Sequence, residues 1–220
     1  MEAVIKIGGS LEKQPRNLKR LCRRLVVLAR KHRLLIVPGG GIFADIVREV
    51  DRTHKLTSTA AHLMAVLATD QYGILLSSTS RRTQTVRDLK SARILQSKGR
   101  LPILLPSKMT FEDKYLEHSW NVTSDSIAAR VAGLSHANML VLVKDVDGIF
   151  DKDPKTKNAK LIGELRLSEL RLLDQTCIDP FLPRVLGKHR LECYVVNGKY
   201  PRRIEAILDG TLTVCTRIKP

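Results

Sequence analysis

The sequence predicts an α/β fold: a three-layer αβα sandwich with a mostly parallel central sheet. Three observations carry this. Short apolar strands alternate with helix-periodic segments along the whole chain, the pattern of a parallel sheet wrapped by helices. Two strand–glycine units, V-I-K-I-G-G at 4–9 and L-L-I-V-P-G-G-G at 34–41, are each followed by a helix-periodic segment. The run Met139 to Val143 is continuously apolar, as expected of a central strand buried on both faces.

The elements follow in order. Val4, Ile5 and Ile7 form the first strand, with Lys6 embedded in it and Gly8-Gly9-Ser10 directly after. Glycines let backbone N–H groups approach a phosphate because no Cβ intervenes, and the lysine adds positive charge. A buried strand with a tight turn accounts for K-x-G-G equally well, and neither G-x-x-x-x-G-K-[ST] nor G-x-G-x-x-G is present. Residues 16–32 read as a helix, with Leu18, Leu21, Leu25 and Leu28 inward and a cationic outer face. Leu34 to Val37 is the second strand, and Ile42, Phe43, Ile46, Val47 and Val50 recur at helical spacing after Pro38-Gly39-Gly40-Gly41. That glycine turn offers an anion both N–H groups and a helix N-terminus.

Residues 57–76 read as a long helix capped by Thr57 or Ser58, with Ala60, Leu63, Met64 and Leu67 on one face and His62 within it. Residues 82–99 read as a helix ending at Gly99, Pro102 to Leu105 as a strand, and Pro106-Ser107-Lys108 as its closing loop. Thr123 or Ser124 caps a helix running through Ile127, Ala128, Val131 and Ala132. Asp125 in its first turn suits the helix dipole, which by itself would explain an aspartate there. After Met139 to Val143 comes K-D-V-D-G-I-F-D-K-D-P at 144–154, which lacks the pattern of a calcium loop. One helix is expected from Ser168, a strand over Cys193 to Val196, a helix with Pro201 first and Gly210 just past its end, and a last strand over Leu212 to Ile218.

Composition sets bounds. At 220 residues the chain can bury one sizeable core, and with 43% hydrophobic residues and no apolar run of about 18 it carries no membrane-helix signal. A strand at the very start leaves no room for a signal peptide. Cys22, Cys177, Cys193 and Cys215 lack C-x-x-C spacing, so core thiols in a reducing cytosol are expected rather than a zinc site. The net charge of +16 suits an anionic partner, but the cations are spread and no aromatic residues interleave with them. A solvated basic surface is expected, with no specific nucleic-acid site.

Four blocks then coincide: I-K-I-G-G-S at 5–10, P-G-G-G at 38–41, T-S-D-S at 123–126 and D-V-D-G-I-F-D-K-D-P at 145–154. Together they resemble the amino acid kinase family over essentially the whole chain. The resemblance implies a carbamate kinase-like fold in one domain, residues 1–135 forming the acceptor-binding lobe and 136–220 the nucleotide-binding lobe. Lys6 would neutralise the transferring phosphoryl group and Asp125 would orient the lysines. Gly8, Gly9 and Ser10 would hold the phosphates of ATP, and Lys144, Asp145, Asp147, Gly148, Phe150, Asp153 and Pro154 would complete the nucleotide side. Gly39, Gly40, Gly41, Asp45, Trp120, Asn121 and Thr123 would face the acceptor. Mg²⁺ would be held by phosphate oxygens, with no metal site built from side chains. A cytoplasmic homodimer is implied.

The blocks L-L-P-S-K at 104–108, E-H-S-W at 117–120 and Y-V-V-N-G at 194–198 resemble the branch that phosphorylates [5-(aminomethyl)furan-3-yl]methyl phosphate in methanofuran biosynthesis. UMP, isopentenyl phosphate or an acylamino acid are alternative acceptors on the same fold, and a non-catalytic anion- or nucleic-acid-binding protein is a third reading. Two departures stand out. Lys144 occupies a position where many relatives have Thr or Ser, and the later G-G-M-x-x-K lysine is absent from Ile178 to Lys188. Lys144, Arg184 and Lys188 all remain candidates for that second lysine.

Overall fold

The computed structural model describes residues 1–170, 172, 173 and 177–220. Its centre is strand β1 (Ala3–Ile7), buried at every position and hydrogen-bonded in parallel to β2 (Leu34–Pro38) on one side and β5 (Met139–Lys144) on the other. Successive side chains of a strand point to opposite faces. Ala3, Ile5 and Ile7 therefore join Leu34, Ile36, Val141 and Val143 on one face, covered by helix α1 (Pro15–Leu28) through Leu18, Leu21, Leu25 and Leu28. Val4 faces the other way, with Leu35, Val37, Leu140 and Leu142, against helix α6 (Ser124–Ser135) through Ile127, Ala128 and Val131. Lys6 and Lys144 continue this second alternation, so both project from the end of the sheet toward the N-terminus of α6.

Helices α2 (Gly41–His54) and α3 (Ser58–Ser77) pack on each other beside this edge, and Thr57 caps α3 by accepting a hydrogen bond from the Ala60 amide at 3.2 Å. Ala61, His62, Val66, Thr69, Tyr72 and Leu76 are the inward stripe of α3. The face expected to be buried turns outward: Met64 is 36% and Leu67 46% exposed. This helix is apolar on both sides, so spacing alone could not choose between them.

The segment 82–99 is a strand and a helix rather than one helix. Thr83, Thr85 and Val86 favour extended backbone, and β3 (Thr83–Val86) pairs in parallel with β4 (Leu101–Leu104). Asp88 then caps α4 (Leu89–Ser97), accepting from the Ser91 amide at 2.7 Å. Nor is 106–108 a loop: helix α5 (Ser107–Glu112) starts there because buried Asp70 accepts from the Ser107 amide and hydroxyl. Beyond β5, β6 (Ile149–Phe150) and β7 (Leu161–Ile162) form a hairpin, followed by β8 (Glu164–Arg166) and α7 (Leu167–Leu170). The helix expected at Ser168 is thus one turn long, and α8 (Leu182–His189) is an element the spacing did not reveal.

Strand β9 (Glu192–Asn197), helix α9 (Pro201–Leu208) and strand β10 (Thr216–Lys219) complete the chain. The last strand is shorter than expected, Leu212 being fully exposed, and it runs antiparallel to β9. Among the described residues one sheet holds eight strands in the order β3-β4-β2-β1-β5-β9-β10-β8. The chain moves outward from β1 through β2, then resumes on the opposite side at β5. The carboxyl ends of β1, β2, β5 and β9 share one edge, and a reversal of strand order at such an edge is where α/β sheets bind ligands. No helix of the described residues is long and apolar enough to cross a membrane.

At this edge the loops after β1 and β2 touch backbone to backbone. A Cβ on Gly9 would lie 2.2 Å from the Gly41 amide nitrogen, and Gly41 itself has φ +55°. Gly9→Ala should therefore destabilise the protein by about 2 kcal/mol or more in urea unfolding. Gly99→Ala, where nothing lies within 4 Å of the added Cβ, should cost less, about 1 kcal/mol for its positive φ.

Candidate active site

Three charged side chains meet where β1 and β5 end against α6. Asp125 is 1% exposed; its Oδ1 lies 2.9 Å from Lys6 Nζ and its Oδ2 accepts from Lys144 Nζ at 2.5 Å. Burial pushes the Asp125 carboxyl up, but the ammonium groups of Lys144 and Lys6 outweigh it and hold it at about 2. Burial opposes the charge of Lys144 as well, yet Asp125 more than compensates and its pKa is raised. Lys6 goes the other way: burial, together with repulsion from Lys144, outweighs Asp125 and lowers it. One carboxylate thus serves two buried ammonium groups. Arg184 and Lys188 lie elsewhere, over the ring of Tyr115 at 5.6 and 3.7 Å. Lys144 is the second lysine at Asp125.

The N-terminus of α6 is held by a residue that sequence reasoning did not single out. Asp179 accepts from the Thr123 amide (2.9 Å) and hydroxyl (2.8 Å), the Ser126 amide (3.0 Å) and hydroxyl (2.5 Å), and the Leu182 amide (2.8 Å). One carboxylate therefore ties the start of α6 to the start of α8 and fixes the turn that presents Asp125. Burial, then the charge of Asp125, raise the pKa of Asp179, and the Ser126 and Thr123 donors oppose them. The signal available was I-D-P shortly before an apolar helix, a local cap pattern with no hint of its distant partners.

Lys6 also lines a cavity of about 340 Å³ between β1, α2, α3 and the segment before α6, walled by Gly9, Ser10, Gly40, Gly41, Asp45, His62, Trp120 and Thr123 among others. Gly40 and Gly41 start α2, whose first-turn N–H groups lack partners within the helix, although Glu12 accepts the Ile42 amide at 2.7 Å. Gly8 and Gly39 have a different part: their amides donate to Val143 O and Ile7 O, both at 2.8 Å, so they bind the loops together. Asn121 is exposed and donates to Glu117, outside the cavity wall. Trp120 Nε1 donates to Asp51 at 2.8 Å, its ring faces the Arg48 guanidinium at 4.9 Å, and Arg48 is paired with Asp45 at 3.3 Å.

The residues expected around a nucleotide gather on the far side of β5. Asp147 pairs with Arg203 at 2.7 Å and accepts from Asn197 Nδ2 at 2.9 Å, while the Asp145 side chain is exposed. Gly148 sits against Thr216, whose Oγ1 would lie 2.4 Å from an added Cβ. Phe150, Asp153 and Pro154 line a second cavity of about 190 Å³ with Gly148 and Cys177. Cys22 and Cys193 are buried, Cys177 and Cys215 half-buried, and all four thiols are free.

The model of the amino acid kinase family matches residues 1–197. The [5-(aminomethyl)furan-3-yl]methyl phosphate kinase of Methanocaldococcus jannaschii is 32% identical over 217 residues, 98% of this chain and 96% of that protein. A uridylate kinase of Methanococcoides burtonii is 23% identical, over 95% of this chain and 92% of its own. Among solved structures, a uridylate kinase from Archaeoglobus fulgidus superposes with a TM-score of 0.78 at 21% identity, covering 99% of this chain and 100% of its own. The UMP kinase from Ureaplasma parvum gives 0.76 at 18%, over 100% of this chain and 99% of its own. With two buried lysines on one aspartate at the ligand-binding edge of this sheet, the chain belongs to the amino acid kinase family.

Proposed function

We propose that the protein is a cytoplasmic kinase that transfers the γ-phosphoryl group of ATP to [5-(aminomethyl)furan-3-yl]methyl phosphate, giving its diphosphate. The observation that carries the transfer chemistry is the Lys6–Asp125–Lys144 cluster beside a cavity of a size for a small acceptor. The choice of acceptor has its support in the relative at 32% identity along nearly the whole chain. The bond from the γ-phosphorus to the β–γ bridging oxygen breaks, an acceptor phosphate oxygen bonds to that phosphorus, and ADP leaves. A phosphate acceptor is already ionised, so no strong base is required. Positioning and charge neutralisation dominate such a transfer.

Lys6 lines the acceptor cavity and Lys144 does not, so Lys6 meets the transferring group. Lys144, at the β5 end beside the nucleotide loop, neutralises the nucleotide side. Asp125 orients both and does not take a proton. Gly9 and Ser10 hold ATP phosphates, Asp147 and the loop through Pro154 hold the nucleoside, and Gly40, Gly41, Asp45, Trp120 and Thr123 bound the acceptor. Mg²⁺ would arrive on the phosphate oxygens of ATP and add its charge there. Residues 1–135 and 136–220 act as acceptor and nucleotide lobes. The exposed Ile42, Ile46, Met64, Leu67 and Ile74 of α2 and α3 support a homodimer through this face. A second reading, UMP as acceptor, has support from the uridylate kinases of similar sequence and fold.

Turnover with Mg²⁺-ATP should appear with the furan phosphate and not with UMP, isopentenyl phosphate or acetylglutamate; turnover of UMP alone would replace the acceptor and keep the mechanism. Lys6→Ala should lower kcat by about 10³-fold with an unchanged melting profile, and near-normal turnover would remove Lys6 from the transfer. Asp147→Ala should weaken ATP binding about ten-fold in titration calorimetry while the acceptor KM stays within two-fold of wild type. Asp125→Asn strands two buried ammonium groups and should cost about 3–5 kcal/mol in denaturant unfolding. The folded-state pKa of Asp125 lies below its usual 3.8, so its stabilisation is complete above about pH 4 and is lost as pH falls toward 2. That part of the acid transition should be missing in the Asn variant.

A further inference from the structure

His62 is 5% exposed, lines the cavity that Lys6 also lines, and has an Nε2 with no hydrogen-bond partner. A buried polar atom left unpaired costs about 1–3 kcal/mol, which a ligand group can relieve. Several other polar groups of the wall are engaged. Thr69 Oγ1 donates to Val66 O at 2.6 Å, Thr123 Oγ1 donates to Asp179, and Glu12 accepts the Ile42 amide. Asp45 is paired with Arg48, and the face of Trp120 is covered by the same guanidinium.

The position of His62 along α3 gives the cavity a polarity. Tyr72, two to three turns further on, donates its hydroxyl to Gly8 O at the phosphate end. At 1.5 Å per residue the backbone of His62 lies about 15 Å along the helix axis from that of Tyr72, toward the start of α3. Asp45 and Arg48 are likewise one and two turns into α2 from Gly41. The cavity thus has a phosphate end made by Lys6, Gly9 and Gly41, and a far end made by His62, Trp120, Asp45 and Arg48. The imidazole at that far end is disfavoured as a cation by burial, then by the His118 ring stacked on it at 4.8 Å; a Ser119 backbone hydrogen bond opposes them. A neutral ring that carries its hydrogen on Nδ1 keeps a lone pair on Nε2, the buried nitrogen with no partner.

We propose that His62 is the specificity-determining residue of the acceptor site, its Nε2 accepting a hydrogen bond from a protonated primary amine at the far end of a small phosphate ester. This rests on reading the cavity as the acceptor site. The Asp45 carboxylate at that end is paired with Arg48, so the directed bond falls to His62. A neutral imidazole favours an ammonium donor and offers a hydroxyl analogue less, because the charge-assisted bond is the stronger one.

The test compares wild type, His62→Phe and His62→Gln on [5-(aminomethyl)furan-3-yl]methyl phosphate and on its analogue with hydroxyl in place of the amine. Thermal melts and ATP titration accompany the kinetics. His62→Phe should raise the KM for the amine about ten-fold, leave the KM for the hydroxyl analogue and ATP binding within two-fold, and His62→Gln should recover part of the loss. Equal loss with both acceptors means a packing role, and an unchanged KM means no contact; either result overturns the proposal. Wild-type turnover of UMP with none of the amine also overturns it, while leaving the cavity as an acceptor site. Activity with no acceptor at all would instead bring down the reading of the cavity.

Discussion

Two ammonium groups at the dry end of a parallel sheet require a counter-charge, and Asp125 is that charge. Lys6 and Lys144 come from adjacent strands and point to the same face because the alternation along β1 and β5 leaves them no other choice. Asp125 comes from the first turn of the helix that covers that face. The site is therefore set by sheet register and helix placement together. A one-residue slip of β1 would send Lys6 into the α1 core and leave Asp125 with a single partner.

The same arrangement divides labour between the two sides of the sheet. On the β2 side the glycine turns and α2 enclose a small cavity; on the β9 side Asp147, Arg203 and Asn197 form a separate polar group. Lys144 stands at the boundary. Strand β5 brings a lysine to the aspartate directly, and Arg184 and Lys188 pack on Tyr115 instead.

What was legible in the sequence is what local rules control. Strand alternation, glycine turns after β1 and β2, the Thr57 and Thr123 caps and Pro201 at the start of α9 are all short-range features, and they appear as expected. Lys6 and Asp125 were singled out through the family resemblance, and the structure brings them together. What was hidden depends on distant partners. Asp179 reaches Thr123 and Ser126 across 56 and 53 residues, and Asp70 starts α5 from 37 residues away. The β3 strand inside a helix-like stretch is set by its pairing with β4, which local spacing cannot supply. The orientation of α3 was hidden for another reason, since both of its faces are apolar enough to be buried.

The placement of β1 has a consequence for how the chain comes together as it is made. Its two neighbours are β2, some thirty residues later, and β5, beyond residue 138. Until β5 emerges from the ribosome, one side of the first strand has no hydrogen-bonding partner, and Lys6 has no anion until Asp125 is synthesised. The N-terminal third can collapse through α1 and β2, but its catalytic edge stays hydrated and unpaired. Folding of the centre is thereby deferred until most of the chain exists, the slow, high-contact-order route of parallel sheets.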